Sequence, residues 1–120
     1  MFKVIVAGSR TFSDFDLMCE KIDYFLQTVN DDIEIVSGLA AGADFLGTKY
    51  AKKRGYHVRE FPARWDTFGK RAGYLRNIEM AEYADACVVF WDGKSKGTKH
   101  MITTAKQYKM PVRIVRYESE

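Results

Sequence analysis

Cysteine is scarce: Cys19 and Cys87 are the only two, one inside an amphipathic stretch and one inside an apolar run. With no CxxC spacing and no matching histidine cluster, a disulfide framework and a structural zinc site are both excluded as expectations. Long apolar runs are missing too. The longest, such as Ala86 to Trp91, are about a third of the ~20 residues that cross a bilayer. No charged-then-apolar leader precedes a cleavage-like site, so the expectation is a cytoplasmic protein with no membrane partner. Charge of one sign is also lacking, since 19 Lys+Arg against 16 Asp+Glu leave a net charge of only +3. So mild a balance does not announce a nucleic-acid protein. Finally, neither a GxGxxG fingerprint nor a Walker loop is present, which removes the main support for an NAD(P) or ATPase reading. Neither a cofactor nor a metal is expected.

What remains is 120 residues, 47% of them hydrophobic. At about 150 residues per domain this reads as one domain over residues 1–120, with enough apolar surface for a core. Five short runs rich in β-branched and aromatic residues read as strands: Lys3 to Ala7, Ile33 to Val36, His57 to Phe61, Ala86 to Trp91 and Val112 to Tyr117. Between them, apolar residues recur at helical spacing in four stretches, carried by Met18, Ile22 and Leu26, by Ala43, Leu46 and Tyr50, by Tyr74, Ile78 and Ala81, and by Met101, Ile102 and Ala105. Ser13 reads as the first N-cap, Gly55 as a helix C′ residue, and Pro111 follows the last helix.

Strict alternation of strands and helices implies an α/β class, a Rossmann-like three-layer α/β/α sandwich with right-handed crossovers. The first and fourth strands are the most apolar, whereas HVREF and VRIVRY carry charges and belong at edges. A five-stranded parallel sheet of order 3-2-1-4-5 satisfies both conditions. Its switch point lies between strands 1 and 4, and ligands of open α/β sheets bind outside the carboxyl strand ends at such a reversal.

The reversal singles out two loops, Gly8-Ser9-Arg10 and Trp91 to Thr98, and the loop after strand 2 is a further candidate. Gly8, Ser9 and Arg10 follow strand 1, where small residues admit a ligand and a guanidinium can grip phosphate. After strand 2, Ser37, Gly38, Gly42 and Asp44 lie in a run of small residues entering a helix whose free N–H groups could hold an anion. Close helix-to-sheet packing is the ordinary alternative there. After strand 4, Asp92, Gly93, Lys94, Ser95, Gly97 and Thr98 surround a helix start, which suits an anion nest better than a plain solvated turn. A fourth segment, Pro62 to Asn77, combines Arg64, Lys70, Arg71 and Arg76 with Trp65, Phe68 and Tyr74, so that a ring could stack on a base, with Arg76 and Asn77 at a turn. The ordinary alternative puts Tyr74 in the core, Trp65 over the sheet end and Lys70 and Arg71 in water, and it is the expectation for the last two.

The motifs VIVAGSRTFSD, VSGLAAGAD and RNIEMAEYADACVVFWDGKSKGT together resemble the SLOG superfamily. This Rossmann-like group contains DprA, the LOG nucleotide hydrolases and the YspA/YpsA-like proteins. The closest branch by resemblance is the small YspA-like one, with Ser37, Gly38, Ala40, Gly42 and Asp44 matching SGxAxGxD and Arg76-Asn77 matching the RN pair. The resemblance implies a nucleotide-like ligand. Met101 stands where LOG enzymes carry the glutamate of PGGxGTxxE, so binding by a sensor or regulatory module is the leading reading. An N-glycosidase using Asp44, Glu79 or Asp92 is the second, and DprA-like single-strand binding the third. Nucleic acid is not expected as a partner, because the chain lacks a strong basic field. The breadth of the apolar surface on the third helix, including Met80 and Tyr83, leads to the expectation of a homodimer or higher even oligomer.

Overall fold

Alternate residues of the first strand belong to two different cores. Val4 and Val6 pack with Met18, Ile22 and Tyr50, whereas Ile5 and Ala7 pack with Met80, Ala81, Met101 and Ile102. A strand has a side-chain period of two, so a strand buried on both sides must be apolar throughout. The computed structural model describes residues 1–118. Its elements are β1 (Phe2–Gly8), α1 (Phe15–Leu26), β2 (Ile33–Ser37), α2 (Ala43–Arg54), β3 (His57–Glu60), α3 (Trp65–Phe68), a 3-10 turn (Gly69–Arg71), α4 (Ala72–Tyr83), β4 (Ala86–Trp91), α5 (Lys96–Gln107) and β5 (Val112–Arg116).

The sheet has the order β3-β2-β1-β4-β5 and every pairing is parallel. Ile5 sits between Val36 and Cys87. Helices α1 and α2 cover one face and α4 and α5 the other, so the fold is Rossmann-like. All four residues of β3 are exposed, as its alternating charge implies for an edge. No helix among the described residues is long and apolar enough to cross a membrane.

Three local expectations change. Asp14, not Ser13, caps α1, its carboxylate accepting from Leu17 N at 3.0 Å. In addition to the four helices expected, α3 and the 3-10 turn precede α4 and join at Gly69, whose φ of +59° suits glycine. Part of the apolar surplus of α4 is absorbed within the chain. Met80 and Ala81 are buried, while the Tyr83 ring lies 5.5 Å from that of Phe61 and under the Lys3 ammonium. Its hydroxyl donates to Glu34. Tyr74 on the same helix stays 44% exposed, so the part of the circumference argument that rested on Met80, Ala81 and Tyr83 is met inside the chain.

Candidate functional site

The carboxyl ends of β1 and β4 are stapled together by Ser9. Its backbone N–H donates to Phe90 O at 2.9 Å, and its buried Oγ accepts from Asp92 N at 3.2 Å. The same loop interlocks with the start of α2. A Cβ on Gly42, whose φ is +81°, would run into the carbonyls of Ser9 and Arg10, and a Cβ on Gly8 would lie 2.7 Å from that of Ala43. Ser37 Oγ donates to Asp44 O at 3.0 Å and accepts from Leu39 N at 3.1 Å. Close packing thus explains most of the small-residue run. Two of the N–H groups that could hold an anion there are already engaged, Ala43 N with Ser9 O and Phe45 N with Ala40 O.

The interlock instead drives a carboxylate into the cleft at the switch point. Asp44 is only 4% exposed, and its Oδ2 accepts one long bond, 3.4 Å, from Ala40 N. Burial pushes its pKa up to about 6, against the opposing pull of the Arg76 charge, the Ala40 and Gly8 N–H groups and Arg10. Gly38 leaves the gap in which both groups meet, since a Cβ there would collide with the Arg76 guanidinium and lie 2.7 Å from Asp44 Oδ2.

Arg76 is held as a strut. Nη1 donates to the carbonyls of Gly38 and Phe61, and Nε donates to Asn77 Oδ1 at 3.1 Å. Burial lowers its pKa, while Asp44 raises it. Asn77 is buried and spans to α5, with Nδ2 donating to Gly97 O at 3.3 Å and to His100 Nδ1 at 3.2 Å. The Tyr74 ring stands 4.4 Å from that of His100.

The β4 loop is less open than a free nest. Asp92 Oδ1 accepts from Lys94 N and Ser95 N, both at 2.9 Å, and these bonds hold its pKa below the usual carboxylate range. Ser95 Oγ accepts from Thr98 N at 3.4 Å and from Thr98 Oγ1 at 3.0 Å. Among the described residues, the N–H groups of Lys96 and Gly97 have no partner, so the anion-binding capacity narrows to the first turn of α5.

A cleft of about 240 Å³ opens at these strand ends, and it gathers Gly8, Arg10, Asp44, Trp65, Arg76, Asn77, Ser95, Gly97 and Thr98. Ser9, Ser37, Gly38 and Gly42 stand behind it as framework. Asp92, Gly93 and Lys94 do not line it, nor does Glu79, which is exposed on α4. Asp44 is therefore the one candidate carboxylate that reaches the cleft. Lys70 and Tyr74 also line it: the 3-10 turn brings Lys70, exposed to water as expected, round to the cleft, and Tyr74, one of the rings offered for stacking, is 44% exposed at the rim rather than in the core. His100, a lone histidine with no motif, is tied to the site through Asn77 and the Tyr74 ring. Met101, which the family resemblance set against a glutamate, is buried and lines the cleft. A larger hollow of about 560 Å³, lined by Glu20, Tyr24 and Arg113 among others, sits beside α1 and shares no residue with this site.

The family model for YspA, cpYpsA-related SLOG proteins, YAcAr, matches residues 2–68. The Gene 61 protein of Mycobacterium phage D29 is 34% identical over 118 residues, covering 93% of this chain and 94% of that protein. Among solved structures, DNA processing protein A (DprA) of Streptococcus pneumoniae superposes with a TM-score of 0.73 at 20% identity, covering 95% of this chain and 50% of that one. DprA of Helicobacter pylori, described for its single-stranded DNA binding mode, gives a TM-score of 0.64 at 17% identity over 99% of this chain and 68% of that one. These two likenesses show the fold. They also overturn the exclusion of nucleic acid, since a protein of this fold binds single-stranded DNA. Net charge is the wrong measure, because Arg10, Lys70 and Arg76 are concentrated at one cleft.

Proposed function

The chain belongs to the YspA, cpYpsA-related SLOG family, and on that premise we propose that the cleft binds a nucleotide unit, free or within a single strand. The observation that carries this reading is the convergence of Arg10, Lys70 and Arg76 with the Trp65 and Tyr74 rings on one cleft at the switch point. Cations and flat rings together recognise a charged phosphate joined to an aromatic base. Arg10 and Lys70, with the Gly97 N–H, take the phosphate, and Trp65 and Tyr74 take the base. Asp44, facing the same space, accepts from donors on the sugar or base. Titration calorimetry with a nucleoside 5′-monophosphate, its nucleoside and a short single-stranded oligonucleotide tests the reading. Phosphorylated ligands should bind and the bare nucleoside should bind far more weakly. Failure of every phosphorylated ligand to bind would overturn it.

A second reading rests on Asp44. It is the one candidate carboxylate lining the cleft, and its pKa of about 6 lets it carry or accept a proton near neutrality, as cleavage of an N-glycosidic bond requires. Incubation with nucleoside monophosphates followed by chromatography for free base decides between binding and cleavage.

A further inference from the structure

The cleft does not end at Arg10 and Trp65. On their far side a second hollow of about 180 Å³ is lined by Gly38, Leu39, Pro62 and Ala63. The two hollows share Arg10, Ala40, Trp65 and Arg76. Two compartments therefore flank one cationic ridge with an indole standing between them.

The chemistry of the two sides differs. The first compartment contains Asp44, Lys70, Asn77 and the start of α5, a polar set. Leu39 is 36% exposed with a left-handed φ of +62°, and with Pro62 and Ala63 it lines the second compartment, whose only charged lining residues are Arg10 and Arg76 of the ridge. On the ridge, Arg76 Nε and Nη1 are committed to protein acceptors, while Nη2 has no partner among the described residues. Arg10 is exposed and makes no side-chain hydrogen bond among them. Two guanidinium groups with donors to spare, set between two hollows, suit a phosphate that links two flat units.

We infer that the site accommodates two nucleoside units joined through phosphate: one base in the polar compartment, the linking phosphate on Arg10 and Arg76, and the second base against Leu39, Pro62 and Ala63. This inference rests on the nucleotide reading above and extends it to a ligand class. A free dinucleotide and one step of a single strand present the same chemistry.

Calorimetry with a 5′-phosphorylated dinucleotide, a nucleoside 5′-monophosphate and a 12-residue single strand tests it on the full chain. One further stacked base should tighten binding roughly tenfold to a hundredfold over the monophosphate. A strand that binds much more tightly than the dinucleotide identifies nucleic acid as the source, and equal affinity identifies the free dinucleotide. Ala63→Phe fills the second compartment, and Leu39→Ala, which also removes apolar wall, guards against a misfolded first variant. In both, the ratio of dinucleotide to monophosphate affinity should fall toward one. If the monophosphate binds and the wild-type ratio is already one, the two-unit inference fails while the nucleotide reading stands. If no phosphorylated ligand binds, both fail.

Discussion

Asn77 and His100 are joined by a 3.2 Å contact between the Asn77 amide nitrogen and His100 Nδ1. An amide nitrogen only donates, so Nδ1 accepts and the proton of the neutral ring sits on Nε2, facing Thr104 Oγ1 at 3.5 Å. Burial lowers the His100 pKa below its ordinary 6.5, which favours the neutral ring.

The sign of the pH effect follows. With a folded value below the unfolded one, the unfolded chain takes up the proton first as pH falls. His100 therefore costs stability progressively below about pH 6.5 and nothing above it. Proton NMR titration of His100 should give a midpoint below 6.5. In Asn77→Asp the new carboxylate should raise that midpoint above the wild-type value. A wild-type midpoint above 6.5 would rule out the neutral acceptor.

Asp44 works in the opposite direction. Its folded pKa of about 6 lies above the ordinary 3.8, so its ionisation carries no penalty at pH 3.8 and below. The penalty grows as pH rises to 6 and reaches about 3 kcal/mol at neutral pH. Asp44→Asn should be more stable than wild type by roughly 1 to 3 kcal/mol at pH 7.5 in urea melts, the amide oxygen still accepting from Ala40 N. The gap should close as pH falls toward 4. A gap that is absent at pH 7.5 would mean that Asp44 is not held at a cost.

These two residues mark how far the amino-acid pattern reaches. Strand order was legible because β1 and β4 are continuous apolar runs and β3 and β5 carry alternating charge, a direct print of burial on two faces or one. Asp44 and Arg76 were legible through their motifs. Lys70 was not, since its place depends on Gly69 turning the chain at φ +59°, and no periodicity encodes that. His100 was hidden because its partner is 23 residues away on another helix. The anion capacity of the Asp92 to Thr98 loop was overestimated for a third reason. A short acidic side chain before two N–H groups satisfies them itself, and the local pattern of glycines and lysines is the same whether or not it does.

Gly97 tests what anion capacity is left. A Cβ at this position meets nothing within 4 Å, and an acid in the first turn of α5 is favourable to the helix by about 0.3 to 1 kcal/mol. Gly97→Asp should therefore melt within about 1 kcal/mol of wild type. Its carboxylate would nonetheless occupy the N–H groups of the first turn and repel a phosphate. Nucleoside monophosphate binding should be lost in calorimetry, and unchanged affinity would remove the α5 start from the site.

Arg10 separates charge recognition from architecture. Its backbone carbonyl helps to exclude a side chain at Gly42, but this contribution survives truncation of the side chain, and the guanidinium is exposed in the cleft wall. Arg10→Ala should accordingly leave the melting temperature near wild type. A charge-assisted bond to phosphate is worth about 1.5 to 3 kcal/mol, or roughly tenfold to a hundredfold in affinity. A nucleoside lacking phosphate offers the guanidinium no charge to meet, so its weaker binding should barely change. Measured side by side in one buffer at low salt, the monophosphate should lose at least tenfold while the nucleoside moves by less than about twofold. Equal losses for both would place Arg10 among the residues that shape the cleft rather than those that grip phosphate.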